Sequence, residues 1–161
     1  MTDEVSYLTD RASAAKLAEH LTRCDADYFP PLSDRVDLDR YAAKLAANAR
    51  RFEAWAGGTL VGLLAVYLPS TEPDTAHISN VSVLKAWRGR GIAATLMRHC
   101  FDEAARSRIQ RITLEVAEAN IAAIALYQRT GFIPTGRNGA FTVMTATLNA
   151  DHRHFQRRPP P

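Results

Sequence analysis

Val81-Ser82-Val83-Leu84-Lys85-Ala86-Trp87-Arg88-Gly89-Arg90-Gly91-Ile92-Ala93-Ala94-Thr95-Leu96 is the stretch around which the 161-residue chain is organised. An apolar strand runs into a short basic turn, two glycines follow, and a helix begins. Glycine lets backbone approach a ligand closely and tolerates unusual dihedrals. The opening turn of a helix carries unpaired N–H groups and the positive end of the helix dipole. Together these make an anion site, and phosphates are its usual occupants. A phosphate-bearing cofactor is therefore expected near Arg88 to Ala93.

Working toward the C-terminus, the spacing of Ile92, Leu96, Met97, Cys100, Phe101 and Ala104 predicts a helix from about Gly91 to Arg106. Ile112 to Ala117 reads as a strand. Asn120 opens a further helix, with Gly131 as its C′ residue. Phe132 to Arg137, the Asn138-Gly139 turn and Ala140 to Leu148 read as a final hairpin. Toward the N-terminus, Ala76 to Leu84 is strand-like but carries His77, Ser79, Asn80 and Ser82. A strand covered on both faces is normally apolar, so part of this one is expected to line a cleft. Thr59 to Leu68 and Phe52 to Ala56 form a hairpin around Gly57-Gly58. Asp37 caps a helix through Ala49, Asp10 caps an earlier one that fades near Cys24, and Glu4 to Leu8 is a first strand.

These elements predict one α/β (α+β) domain over residues 1–148. It has a mixed, mostly antiparallel twisted sheet of about seven strands flanked by four helices. Residues 149–161 read as a basic, proline-ended tail. Net charge is +3, of which the tail holds +2, leaving about +1 for the body. That is too little to suggest a nucleic-acid surface. No apolar run reaches membrane-spanning length, and the acidic Met1-Thr2-Asp3-Glu4 lacks the layout of a signal peptide. A cytoplasmic protein without membrane or nucleic-acid partners is expected. Cys24 and Cys100 have no metal-binding spacing and read as buried thiols, so no metal is expected.

Two families of loop compete for the glycine turn. Gly89-Arg90-Gly91-Ile92-Ala93-Ala94 fits the G-x-G-x-x-A dinucleotide fingerprint, with Glu115 in place of its ribose acid. Against that reading, Lys85-Ala86-Trp87-Arg88 separates the strand from the first glycine, and antiparallel hairpins flank the unit. Arg88-Gly89-Arg90-Gly91-Ile92-Ala93 fits [RQ]-x-x-G-x-[GA] better, and so resembles the pyrophosphate loop of the GNAT superfamily of acyl-CoA-dependent N-acyltransferases. The strand Ile112-Thr113-Leu114-Glu115-Val116, Asn120, and Ala125-Leu126-Tyr127-Gln128-Arg129-Thr130-Gly131-Phe132 are similar to that superfamily's L-x-V-x-x-x-N-x-x-A-x-x-L-Y-x-x-x-G-F segment. The matching parts cover about residues 76 to 135.

The resemblance implies transfer of an acetyl group from acetyl-CoA (coenzyme A) to a primary amine by direct attack. Backbone N–H groups of Arg88, Gly89, Arg90, Gly91, Ile92 and Ala93 would hold the CoA pyrophosphate. Arg88 and Arg90 would add charge-assisted bonds. Val81, Ser82 and Val83 would pair with the pantetheine arm, and a backbone N–H near Val81 would serve as the oxyanion donor. Asn120 reads both as a helix N-cap and, by the resemblance, as a contact of the CoA arm. Tyr127 reads as a core aromatic or, by the resemblance, as the acid that protonates the departing sulfur.

Glu115 lies on the strand face opposite Ile112, Leu114 and Val116. Burial there would raise its pKa toward that of a base, and a similar Glu is the base of the ribosomal-protein alanine N-acetyltransferase branch. Where many relatives carry an acid on the strand before the loop, this chain has Ser79 and Asn80. His77 or a water chain through Ser79, Asn80 or Glu115 are the alternatives.

The acceptor is expected at the loop around Tyr28, Phe29 and Asn80. Between Asp25 and Asp39 five acids face a single base, Arg35, which reads either as a solvated rim or as a wall that favours a cationic amine. A small-molecule amine is the first reading. A protein N-terminal or lysine acetyltransferase is the second, and a non-catalytic acyl-CoA-binding module the third. By analogy with the family, the final hairpin is a homodimer face.

Overall fold

The computed structural model describes residues 4–28 and 30–148. The chain divides into two compact units: Met1–Val66 with Asn80–Leu96, and Tyr67–Ser79 with Met97–Pro161.

In the first unit, β1 (Ser6–Thr9), β2 (Arg50–Ala56) and β3 (Thr59–Tyr67) form an antiparallel ladder. The β2–β3 turn is built by Gly57 and Gly58, at φ 55° and 84°, a conformation that favours glycine. Helix α1 (Ala14–Cys24) is capped by Ser13, whose side chain accepts from the Lys16 N–H, and not by Asp10 as the sequence predicts. Asp10 lies four positions before the first helical residue, out of reach of the helix amides. Its carboxylate instead accepts from the Arg51 N–H at 2.7 Å and the Arg50 guanidinium at 2.9 Å. Helix α2 (Leu38–Asn48) has the expected cap, with Asp37 accepting from the Arg40 N–H.

The apolar stripe Leu17, Leu21 and Cys24 of α1, Ala42 and Leu45 of α2, and Leu63, Leu64 and Ala65 of β3 are all buried. Beside them sits an ion pair. Glu53 is fully buried and accepts from the Arg11 and Ala12 amides, the Trp55 indole and the Arg51 guanidinium. Arg51 also donates to the carbonyls of Leu45, Ala46, Ala49 and Ala12. A buried charge is tolerated only when it is paired and its hydrogen bonds are met, and these contacts meet them.

Strand β4 (Thr75–Val83) begins in the second unit. There it pairs in parallel with β5 (Arg111–Ala117), in the register Thr75–Arg111 to His77–Thr113. The rest of that unit holds most of α3 (Ile92–Arg106), α4 (Ile121–Arg129), and the hairpin β6 (Ile133–Asn138) to β7 (Phe141–Thr147), with β7 antiparallel to β5. Gly131, at φ 107°, ends α4 as expected. Phe132 anchors the core, with its ring edge-on to Phe101 at 5.6 Å and to Tyr127 at 5.9 Å.

The sheet is mixed and mostly antiparallel. Among the described residues its seven strands run in the order β1-β2-β3-β4-β5-β7-β6, and four α-helices accompany it. Among the described residues, no helix is long and apolar enough to cross a membrane. The expected tail, 149–161, lies outside the described residues.

Candidate active site

In the first unit, β4 ends at Val83 and the chain turns through a 3-10 segment, Lys85–Trp87. The turn is held by Leu84 N–H to the Val61 carbonyl at 2.9 Å and by Trp87 N–H to the Leu84 carbonyl at 2.8 Å. Arg90 lies 4.5 Å over the Trp87 ring, a cation–π contact. Gly89 and Gly91 follow, at φ 78° and 77°, and a Cβ built on either meets nothing within 4 Å. The left-handed backbone, rather than crowding, therefore requires glycine at these positions.

Gly91 directly precedes α3 and accepts from both the N–H and the hydroxyl of Thr95. The loop thus opens unobstructed onto the first turn of a 15-residue helix, whose amides favour an anion. A diphosphate group fits this arrangement. Of the two arginines assigned to it, Arg88 is otherwise engaged. Its guanidinium donates to the Val83 carbonyl at 3.2 Å and to the Asp27 carboxylate at 2.7 Å.

The polar residues of β4 are joined to the loop after α1. Asn80 and Ser82 are buried and 2.8 Å apart, and Asn80 lies 2.8 Å from the Tyr28 hydroxyl. Desolvation by burial holds the Tyr28 phenol above its ordinary range. Phe29, expected beside it, lies outside the described residues. Within the acidic segment Asp25 bonds to Ser33, Asp27 to Arg88, and Asp37 caps its helix.

His20 was missed at the sequence level. It contacts Ser82 at 2.9 Å and is buried on the same stripe as Leu17 and Leu21. A histidine on an otherwise apolar helix stripe was the available signal. Both cysteines are buried, and burial pushes the Cys24 thiol up to about 11, so it is not a ready nucleophile.

In the second unit, Asn120 caps α4, its side chain accepting from the Ala123 N–H at 3.2 Å. Tyr127 is buried, and burial pushes its hydroxyl up to about 12. Glu115 does not have the buried environment expected of it. It is exposed, and its carboxylate accepts from the Asn138 amide at 3.3 Å. Ile112, Leu114 and Val116 fill the covered face of β5, while Glu115 stands opposite Val143 on the wetter face. The burial on which its reading as a base rested is therefore absent. His77 is half-buried, with Nδ1 2.8 Å from the Thr113 hydroxyl. Its pKa is lowered by burial, against the opposing charge of Glu115. Among the described residues, no group of three His, Cys, Asp or Glu converges as a metal site.

The chain is 34% identical to streptothricin acetyltransferase of Streptomyces lavendulae over 71% of this chain and 60% of that protein. It is 39% identical to the N-alpha-acetyltransferase RimI of Mycobacterium tuberculosis over 52% of this chain and 51% of that protein. The chain thus spans half to three-fifths of the length of these relatives. Its fold matches the crystal structure of the PaiA N-acetyltransferase from Thermoplasma acidophilum, solved in complex with coenzyme A. That match has a TM-score of 0.72 and 13% identity, covering 89% of this chain and 99% of the other. The sequence profile of the acetyltransferase (GNAT) family matches residues 14–132, and the chain belongs to that family.

Proposed function

We propose that this protein is an acetyltransferase that moves an acetyl group from acetyl-CoA to the primary amine of a small molecule. The observation that carries the reading is the open left-handed turn at Gly89 and Gly91 at the head of α3. When bound, acetyl-CoA supplies an activated acyl thioester. The Arg88 N–H is used on the Lys85 carbonyl at 3.3 Å, so the amides from Gly89 to Ala93 would hold the acetyl-CoA diphosphate, while the β4 backbone over Val81, Ser82 and Val83 would orient its arm, with the Val81 N–H as the donor for the acyl oxygen. Asn120 contacts the same arm while it caps α4. Tyr127, kept protonated by its raised pKa, holds a proton for the departing sulfur. Glu115 takes the amine's proton through solvent. Tyr28 faces the acceptor, braced from behind by Asn80.

We read residues 1–148 as one domain, the cytoplasm as its location and the β6–β7 hairpin as a homodimer face. The similarity to streptothricin acetyltransferase extends over more of this chain than the similarity to RimI, which supports the small-molecule reading. The RimI similarity supports a second reading, acetylation of a protein N-terminus. A thiol-release assay with acetyl-CoA over a panel of small amines and short peptides tests both. Turnover with small primary amines is expected. Turnover confined to peptides establishes the second reading, and CoA binding without any turnover leaves a non-catalytic binding module.

A further inference from the structure

The first unit holds a buried titratable group that this mechanism does not use. His20 is 1% exposed. Its Nδ1 lies 3.0 Å from the Leu60 carbonyl oxygen, and its Nε2 lies 2.9 Å from Ser82 Oγ and 3.8 Å from Cys24 Sγ. Ser82 Oγ is 2.8 Å from the Asn80 amide, whose other end is 2.8 Å from the Tyr28 hydroxyl. Four side chains thus form one hydrogen-bonded row from the α1 core to the loop after it.

A carbonyl oxygen only accepts, so Nδ1 must carry a proton. Two directions of hydrogen bonding then satisfy the row. In the first, Ser82 donates to Asn80 Oδ1, and Asn80 Nδ2 donates to the Tyr28 oxygen. Ser82 has one proton, so Nε2 must also donate, and His20 is an imidazolium. In the second, the Asn80 amide is turned end for end. Tyr28 then donates to Oδ1, Nδ2 donates to Ser82, and Ser82 donates to a bare Nε2, leaving His20 neutral. One proton and one amide turn separate the two states.

The charged and titratable groups around the row are Arg23 and Cys24 on α1, Asp27 and Arg88 beside Cys24, and Tyr41 beside Tyr28. Burial, with Arg23 adding to it, favours the neutral imidazole. In that state the Tyr28 proton is spent inward and its oxygen offers a lone pair. An oxygen that accepts an amine N–H leaves the nitrogen lone pair available for attack. A hydroxyl that donates to the amine would instead occupy that lone pair.

We infer that His20 is a positioning residue for the acceptor amine: when neutral, it turns the Tyr28 proton inward through Ser82 and Asn80 and leaves the Tyr28 oxygen as a hydrogen-bond acceptor. The inference rests on the reading that Tyr28 faces the amine. The test combines kinetics with NMR on the full chain. His20→Gln is expected to raise KM for the amine roughly tenfold while changing kcat less than threefold. In a Tyr28→Phe background it is expected to change KM less than twofold, because the hydroxyl it acts through is gone. Ser82→Ala, which deletes only a hydroxyl, is expected to reproduce the KM rise if His20→Gln does not fold. Nitrogen-15 spectra of His20 are expected to show the neutral ring protonated at Nδ1.

Equal KM effects of His20→Gln in the two backgrounds, or a neutral ring protonated at Nε2, overturn the inference with turnover intact. Absence of turnover in the unmodified protein would overturn the acetyltransferase reading itself, and the amine's part in this inference with it.

Discussion

Tyr127 shows how one side chain's surroundings set what it can do. Burial raises its hydroxyl to about 12, well above the range of an ordinary thiol. The phenol is therefore fully protonated at neutral pH, and complete transfer to a thiolate is uphill. In the proposed reaction it therefore serves as a hydrogen-bond donor whose proton moves late, as the sulfur leaves. Tyr127→Phe is expected to lower kcat about 10²-fold in steady-state assays; a loss under threefold would remove Tyr127 from the chemistry. The position of this tyrosine was legible because its distance from Asn120 and Gly131 is a property of the chain. The setting of Glu115 was not, because exposure depends on what covers each face of β5, and only the face of Ile112, Leu114 and Val116 is fully covered. His20 was overlooked for a related reason: its partners Leu60 and Ser82 are 40 and 62 residues away.

At the scale of elements, the start of α3 depends on a single residue of β3. A Cβ at Gly62 would lie 2.7 Å from Ile92 Cγ2, 3.2 Å from Ala54 Cβ and 3.3 Å from Leu96 Cδ1. Ile92 and Leu96 are the first two turns of the helix that the glycine loop feeds, and both are buried, so neither can swing away freely. Gly62→Ala is expected to destabilise the protein by about 1–3 kcal/mol in a denaturant melt. It is also expected to weaken CoA binding severalfold by calorimetry, because displacing Ile92 moves the amides at the helix head. A destabilised variant that binds CoA with unchanged affinity would separate the helix head from the anion site. Capping shows the limits of reading elements from sequence. Asp37 and Asn120 were recognisable because an N-cap reaches an amide two or three residues ahead. Asp10 misled because it has the right chemistry at the wrong distance, and its true partners, Arg50 and Arg51, are brought to it by the β1–β2 pairing.

For the molecule as a whole, acid stability follows from its histidines. His20 and His77 both have pKa values lowered from 6.5 chiefly by burial. Where the folded pKa lies below the unfolded one, the unfolded chain binds more protons, so stability rises with pH through that window. The protein is therefore expected to keep its full melting temperature above about pH 6.5 and to lose it progressively as pH falls below that value. In His20→Gln this acid slope is expected to be shallower, and a slope unchanged by the substitution would show that His20 is not titrating between the two states. By itself the sequence determined the order of elements, the glycine turn and the spacing of Asn120 and Tyr127, because periodicity, turn chemistry and helix caps act over a few residues. Only the tertiary structure decided that Arg88 pairs with Asp27, that Glu115 is exposed, and that His20, Ser82, Asn80 and Tyr28 form one polar row. Those facts depend on desolvation and on donor–acceptor matching between residues distant in the chain, and local pattern carries no record of either.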